Sequence, residues 1–229
     1  MIIGIMGGMG PAATSDTFKK IINLTSASKD QDHLHIIIDN NTKIPDRTQY
    51  ILGIGENPII EMVRSAIKLE LMGADYIVIP CNTAHFFYDD IAKYTKSHII
   101  HMIRETAKSS KDSFPDALKF LLLSTTGTYI SGIYKKIFKE YNLDILEPND
   151  EDKKTIMKWI YDIKSGVNVT EEEFKSLVNR YTINKRIPVI LGCTELSFLT
   201  EIMDLSENYV DPVSIVAKRC VDIVKCTQK

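Results

Sequence analysis

Short apolar runs alternate along this chain with longer stretches whose apolar residues recur every three or four positions, the spacing of one helix face. Ile2 to Met6 is the first run, broken by Gly7-Gly8-Met9-Gly10, and Pro11 fits the first position of a helix reaching about Ala27. His35 to Asp39 reads as a second strand. The loop expected from Asn40 to Asn57, with Ile44-Pro45-Asp46-Arg47 inside it, is long enough to imply a functional role. Pro58 opens the next helix and Gly73 closes it at the C-cap. Tyr76 to Pro80 is a buried strand ending at Cys81, and a further helix leads to the apolar stretch Ile99-Ile100-His101-Met102.

The second half repeats the plan. Leu118 to Leu123 is a strand broken by Ser124-Thr125-Thr126-Gly127-Thr128, followed by a helix to about Tyr141 and a strand from Leu143 to Leu146. Helical stretches around Ile156–Ile163 and Glu171–Tyr181 precede the strand Pro188 to Gly192, which ends at Cys193. The first strand of each half precedes its cysteine by roughly 70 to 75 residues, a period that signals a duplicated unit. Tyr209-Val210-Asp211-Pro212 reads as a turn before a final amphipathic helix, Val213 to about Lys225. Strands alternating with helices predict an α/β fold: two similar units, each a mainly parallel sheet flanked by helices, related by pseudo-symmetry about a central cleft.

Composition narrows the function classes. The 229 residues carry 28 Lys and Arg against 30 Asp and Glu, with both signs mixed, and no basic stripe or aromatic RNA motif invites nucleic acid. No run approaches the roughly 20 apolar residues of a membrane span, and the N-terminal residues lack the pattern of a secretory signal. Four cysteines without framework spacing fit free thiols in a reducing cytosol, so the expected protein is cytoplasmic.

The candidate chemistry lies at Cys81 and Cys193. Each follows a buried strand and opens into small polar residues, Asn82-Thr83-Ala84-His85 and Thr194-Glu195-Leu196-Ser197. Carboxyl ends of parallel strands are where open α/β sheets bind ligands, and nearby helix N–H groups are expected to lower a thiol's pKa. A mirrored pair of thiols suits removal of a proton from one face of a carbon and its return to the other. The bland alternative, an inert buried thiol, fits Cys220, which shares a helix face with Val216 and Ile223.

Rival readings leave the pair unexplained. Gly8-Met9-Gly10-Pro11-Ala12-Ala13 matches a dinucleotide fingerprint, with Asp39 ending the next strand, and supports a nicotinamide-dependent oxidoreductase. Cys81 and His85 are spaced to share a metal, yet a second ligand pair is missing. A cysteine hydrolase needs only one thiol. Arg47 lies after a rigid Pro-Asp turn that could aim it inward; Lys164, ending a helix, could equally serve the helix dipole. Glu171-Glu172-Glu173 reads as a helix start after Thr170.

The motifs Met6-Gly7-Gly8-Met9-Gly10-Pro11, Pro45-Asp46-Arg47-Thr48, Pro80-Cys81-Asn82-Thr83-Ala84-His85, Thr125-Thr126-Gly127-Thr128 and Gly192-Cys193-Thr194-Glu195 resemble the aspartate racemases of the aspartate/glutamate racemase superfamily. The resemblance spans nearly the whole chain. It implies cofactor-independent racemisation of a small dicarboxylic amino acid by Cys81 and Cys193 in a homodimer. It also implies units at residues 1–103 and 104–207, with a C-terminal helix 208–229 packing back on the first. Arg47 and Lys164 match residues that bind substrate carboxylates, and the candidate pocket extends to Met9, Asn82, Thr83, Thr126, Thr194 and Glu195. Cys81 would act on the D-enantiomer and Cys193 on the L-enantiomer. Glutamate racemases typically carry Asp-Ser at the first glycine loop and His after the second Cys-Thr; Met6-Gly7 and Glu195 stand here instead and favour aspartate. Glutamate or broad-specificity racemisation is the alternative within the superfamily.

Overall fold

The structure, a computed structural model, describes residues 1–167, 169–182, 187–203, 205 and 208–227. The last two residues of the expected closing helix, 228 and 229, lie outside the described residues, as do parts of the expected 104–207 unit.

The first half runs β1 (Ile2–Gly7), α1 (Pro11–Leu24), β2 (His35–Asn40), α2 (Arg47–Ile51), α3 (Ile59–Leu71), β3 (Tyr76–Val78), α4 (Tyr88–Ile91) and β4 (His98–Ile100). Then come α5 (Met102–Ser113), β5 (Lys119–Ser124), α6 (Thr126–Ser131), α7 (Ile133–Glu140), β6 (Asp144–Leu146), α8 (Asp150–Lys164) and α9 (Glu171–Thr182). The chain closes with β7 (Val189–Gly192), α10 (Thr194–Ser197), α11 (Leu199–Ile202), β8 (Tyr209–Val210) and α12 (Pro212–Thr227).

Two four-stranded sheets result, ordered β2-β1-β3-β4 and β6-β5-β7-β8, and every described pairing is parallel. The predicted α/β fold with two similar parallel sheets is the fold observed. Strands β1, β5 and β7 are covered on both faces, which is why they read as continuous apolar runs rather than alternating ones. The period of two is visible in what each residue packs against. Ile3 and Ile5 join Val78, Ile21 and helix α12 on one face, while Met6 joins Ile77, Ile79 and helix α3 on the other.

Helix α12 lies against α1 and α5 and buries Val216, Ala217 and Cys220 on the first sheet. Helix α5 serves both sheets: Met102 packs in the core of the first, Ile103 and Ala107 in that of the second. Another close approach joins α2 to α6, where a Cβ on Gly127 would lie 2.7 Å from Thr48 Oγ1. Only glycine allows that contact.

Several boundaries differ from the sequence reading. The long loop contains α2, capped by Asp46, whose carboxylate accepts from the Gln49 N–H at 2.9 Å. The helix expected to reach Tyr141 breaks at Gly132, which adopts left-handed φ +63°, and continues as α7. Helix α8 starts at Asp150 because Asn149 caps it, well before its apolar face begins. Tyr209 and Val210 pair with Val189 and Ile190 as an edge strand instead of forming a turn. Strand β3 stops at Val78, short of Pro80, which has no N–H for a ladder.

In each sheet the chain steps from the second strand position outward, then crosses back to the third. Those reversal points lie between β1 and β3 and between β5 and β7. A crevice opens at such a point beyond the strands' carboxyl ends. Gly8–Gly10, Cys81, Thr125 and Cys193 all follow these four strands.

Candidate active site

Cys81 is held from behind by the backbone. Its N–H donates to Ile79 O at 2.8 Å, and the tight helical turn Thr83–Phe87 follows. His85 Nε2 accepts the Met102 N–H at 3.1 Å, so the proton of its neutral ring sits on Nδ1, 2.9 Å from the Cys81 carbonyl. Burial pushes the His85 pKa down to about 4. The imidazole therefore ties the Cys81 turn to the start of α5. Both its nitrogens face backbone partners, which removes it from the metal pairing with Cys81 considered above.

Two further links cross between the halves at this turn. Tyr134 on α7 donates its hydroxyl to Asn82 Oδ1 at 2.6 Å, leaving the buried Asn82 Nδ2 without a partner among the described residues. The Thr83 hydroxyl lies 2.9 Å from those of Thr125 and Thr128, which are 3.0 Å from each other. Thr125 also caps α6 by accepting from the Thr128 N–H.

Cys193 is the extended N-cap residue of α10. Its thiol donates to Glu195 Oε2 at 2.8 Å, and the Thr194 hydroxyl donates to the same oxygen at 3.2 Å. Glu195 Oε1 lies 3.6 Å from Lys164 Nζ at the end of α8. Glu195 is 5 % exposed, so this carboxylate is a buried charge facing a thiol and an ammonium. Burial, then the Glu195 charge, push the Cys193 pKa well above the ordinary thiol value; Lys164 and the α10 N–H oppose them and lose. The expected lowering of this thiol's pKa by helix N–H groups is thus overturned. Burial pulls Lys164 down, but the charges of Glu195 and the two cysteines outweigh it and raise its pKa.

One cavity gathers most of the candidates. Met9, Arg47, Cys81, Asn82, Thr83, Lys164, Cys193, Thr194 and Glu195 all line it. Thr126 does not; Thr125 takes that place, because Thr126 is the first residue inside α6 while its neighbour caps the helix toward the cleft. Arg47 enters from α2, held by its own loop. Its Nη1 donates to Pro45 O at 2.9 Å and Ile44 O at 3.4 Å, its Nη2 to Met9 O at 3.1 Å, and its buried Nε has no partner among the described residues. The cavity volume is about 20 Å³, little more than one water occupies.

Asp46, Thr48, Met157, Ile160 and Tyr161 also line the cavity but are not among the pocket residues expected from the sequence. Helical spacing carried the signal for three of them: Met157, Ile160 and Tyr161 precede Lys164 by seven, four and three residues and share its face of α8. The glycine loop does not open onto a dinucleotide groove. A Cβ on Gly10 would lie 3.6 Å from Glu195 Oε1, which puts a carboxylate beside the place a pyrophosphate needs.

The Asp/Glu/hydantoin racemase family profile matches residues 6–220. The broad-specificity amino-acid racemase RacX of Bacillus subtilis strain 168 is 28% identical over 227 residues, covering 96% of each chain. The structure of an aspartate racemase from Picrophilus torridus shares 30% identity with a TM-score of 0.82, covering 96% of this chain and 94% of that one. An aspartate racemase homologue from Pyrococcus horikoshii OT3 shares 26% identity with a TM-score of 0.78, covering 97% and 98%.

Proposed function

The chain belongs to the Asp/Glu/hydantoin racemase family, and we propose that it interconverts L- and D-aspartate with Cys81 and Cys193 as its two acid–base groups and no cofactor. The observation that carries the proposal is the pair of buried thiols lining one cavity, each reached from the equivalent strand of its own sheet. One cysteine, as thiolate, removes the α-proton while the other, as thiol, protonates the opposite face, and their states exchange with each turnover. Cys81 serves the D-enantiomer and Cys193 the L-enantiomer in this scheme.

An amino-acid α-proton is weakly acidic, so the site has to stabilise negative charge spreading onto the α-carboxylate. Asn82 Nδ2 and Arg47 Nε are buried donors without partners on residues that line the cavity. An unpaired buried donor is costly unless a ligand completes it, so an anionic oxygen is the ligand chemistry they favour. Lys164, from the opposite wall, takes the second carboxylate by leaving Glu195. The protein works in this reading as a cytoplasmic homodimer.

The second reading, broad-specificity racemisation, is favoured by one observation. Lys164 is already paired with Glu195, and Met157, Ile160 and Tyr161 beside it offer an apolar wall to a neutral side chain. Chiral chromatography of purified protein incubated with L-aspartate, L-glutamate and L-alanine, without added cofactor, separates the readings. Racemisation of aspartate well above alanine supports the dicarboxylate assignment. Equal rates favour broad specificity, and no racemisation of any of them refutes both.

A further inference from the structure

We infer that Glu195 is a positioning residue for Cys193, holding its thiol protonated and aimed, so that the two cysteines are chemically unequal and Cys193 rests as the acid of the pair. The inference rests on the reading of Cys193 as an acid–base group and goes beyond it. Its basis is geometric. The sulfur is 2.8 Å from Glu195 Oε2, inside a buried corner where the other carboxylate oxygen faces Lys164 Nζ at 3.6 Å. Cys81 has no side-chain acceptor among the described residues; its turn is fixed through backbone and imidazole instead.

Proton transfer follows from that contact. When Cys193 acts, its S–H bond breaks, and the carbanion's electron pair forms the new C–H bond at the α-carbon. The thiolate left behind sits beside the Glu195 carboxylate, with the Lys164 ammonium as the nearest compensating charge. Two adjacent anions in a buried corner make this thiolate strongly basic and short-lived. The other titratable and charged groups around the sulfur include Arg47 and Asp46 from the first half, Cys81 across the cavity, Tyr161 on α8, and the Tyr129 and Tyr134 hydroxyls; burial first, and then Cys193 among other charges, raises the pKa values of Tyr129 and Tyr134. The groups differ in what they do to the thiol: Lys164 favours the thiolate, whereas Glu195 opposes it.

Alkylation by iodoacetamide, read for each cysteine by peptide mass spectrometry across pH, tests the assignment without requiring turnover. Glu195→Gln removes the negative charge but keeps the side-chain shape. The Cys193 profile should move to lower pH, with alkylation at neutral pH rising at least roughly tenfold, because a midpoint lower by about one pH multiplies the thiolate fraction by that factor. Cys81 should keep its profile. Lys164→Met should move Cys193 in the opposite direction, to slower alkylation. A turn that had merely loosened would make the thiols more reactive in both variants, so the opposed signs separate charge from disorder. An unchanged Cys193 profile in Glu195→Gln, or the same direction of change in both variants, overturns the inference. A negative racemisation assay with displaced profiles would instead count against the proposed reaction and leave this assignment standing.

Discussion

Cys81 and Cys193 occupy equivalent places, each beyond the third strand position of its sheet, at the point where the strand order reverses. The groups that fix the Cys81 turn by hydrogen bonds are neutral: a buried imidazole bound to backbone on both sides, an asparagine fixed by Tyr134, and a triangle of threonine hydroxyls. Around Cys193 they are charged, with Glu195 on the sulfur and Lys164 on Glu195. The parallel framework sets where each thiol sits, and the side chains gathered around it differ between the two. Equal positions therefore do not imply equal chemistry.

Removing the thiols one at a time is the harshest way to break the comparison. Cys81→Ala and Cys193→Ala should each lower racemisation by on the order of 10²–10⁴-fold or more, since in the proposed scheme either loss leaves one face without its proton carrier. Cys220→Ala, in the core under α12, should change stability alone. Substantial racemisation by either active-site variant, followed by chiral chromatography, contradicts a required pair.

The cations come next. Arg47→Ala should cost about 2–5 kcal/mol in kcat/KM for aspartate, as for loss of a buried charged partner. It should also loosen the loop whose carbonyls Arg47 holds, which a lower Tm would report. Lys164→Ala should be comparably severe, because it removes the carboxylate ligand we propose and leaves Glu195 uncompensated. Near-native turnover of aspartate by either variant, with alanine turned over as well, breaks the dicarboxylate assignment.

Acid sharpens the comparison from the Cys81 side. The folded His85 pKa, about 4, lies below the usual 6.5, so the unfolded chain binds more protons between those values. Its contribution is fully present above about pH 6.5 and is lost as pH falls toward 4, on the order of 3 kcal/mol in all. The neighbouring His101, with a pKa lowered to about 3 by burial and by the His85 charge, acts in the same direction. Urea midpoints at pH 7 and pH 5 should differ accordingly, and His85→Gln should reduce the difference. Parallel profiles for wild type and variant would remove His85 from this role.

The smallest effect expected is that of Tyr134→Phe. It orphans the buried Asn82 Oδ1 and frees the amide to turn, at about 1–3 kcal/mol of stability. Aspartate KM should rise more than kcat falls. An unchanged KM would show that the asparagine holds its orientation without the tyrosine.

The readable parts of the chain were those in which local pattern and tertiary burial agree. Ile2–Gly7, Lys119–Ser124 and Val189–Gly192 are covered on both faces, and their apolar runs and glycine or threonine breaks announced both strands and turns. Tyr209–Val210 is a two-residue edge strand, too short for any period, and only the pairing with β7 defines it. Helix α2 is five residues long and was hidden in a loop, although Asp46 and Gln49 carry its cap. In the site, both cysteines and both cations were visible as isolated chemistry. The Cys193–Glu195 contact was not, because residues two apart seldom face each other on a helix. It exists because Cys193 is the extended residue just before α10, which lets the glutamate fold back over the thiol. The Tyr134–Asn82 link joins residues 52 apart and left no local trace.

Deuterium incorporation tests the two-base claim most directly. L-Aspartate incubated with the enzyme in heavy water, and sampled at a few per cent conversion, should yield D-aspartate carrying deuterium at the α-carbon while the recovered L-aspartate stays unlabelled. Each thiol then handles one face, and the departing proton remains on the cysteine that removed it. Retention of the original proton in the D-product would mean one base serving both faces, and the account of paired, unequal cysteines would be wrong.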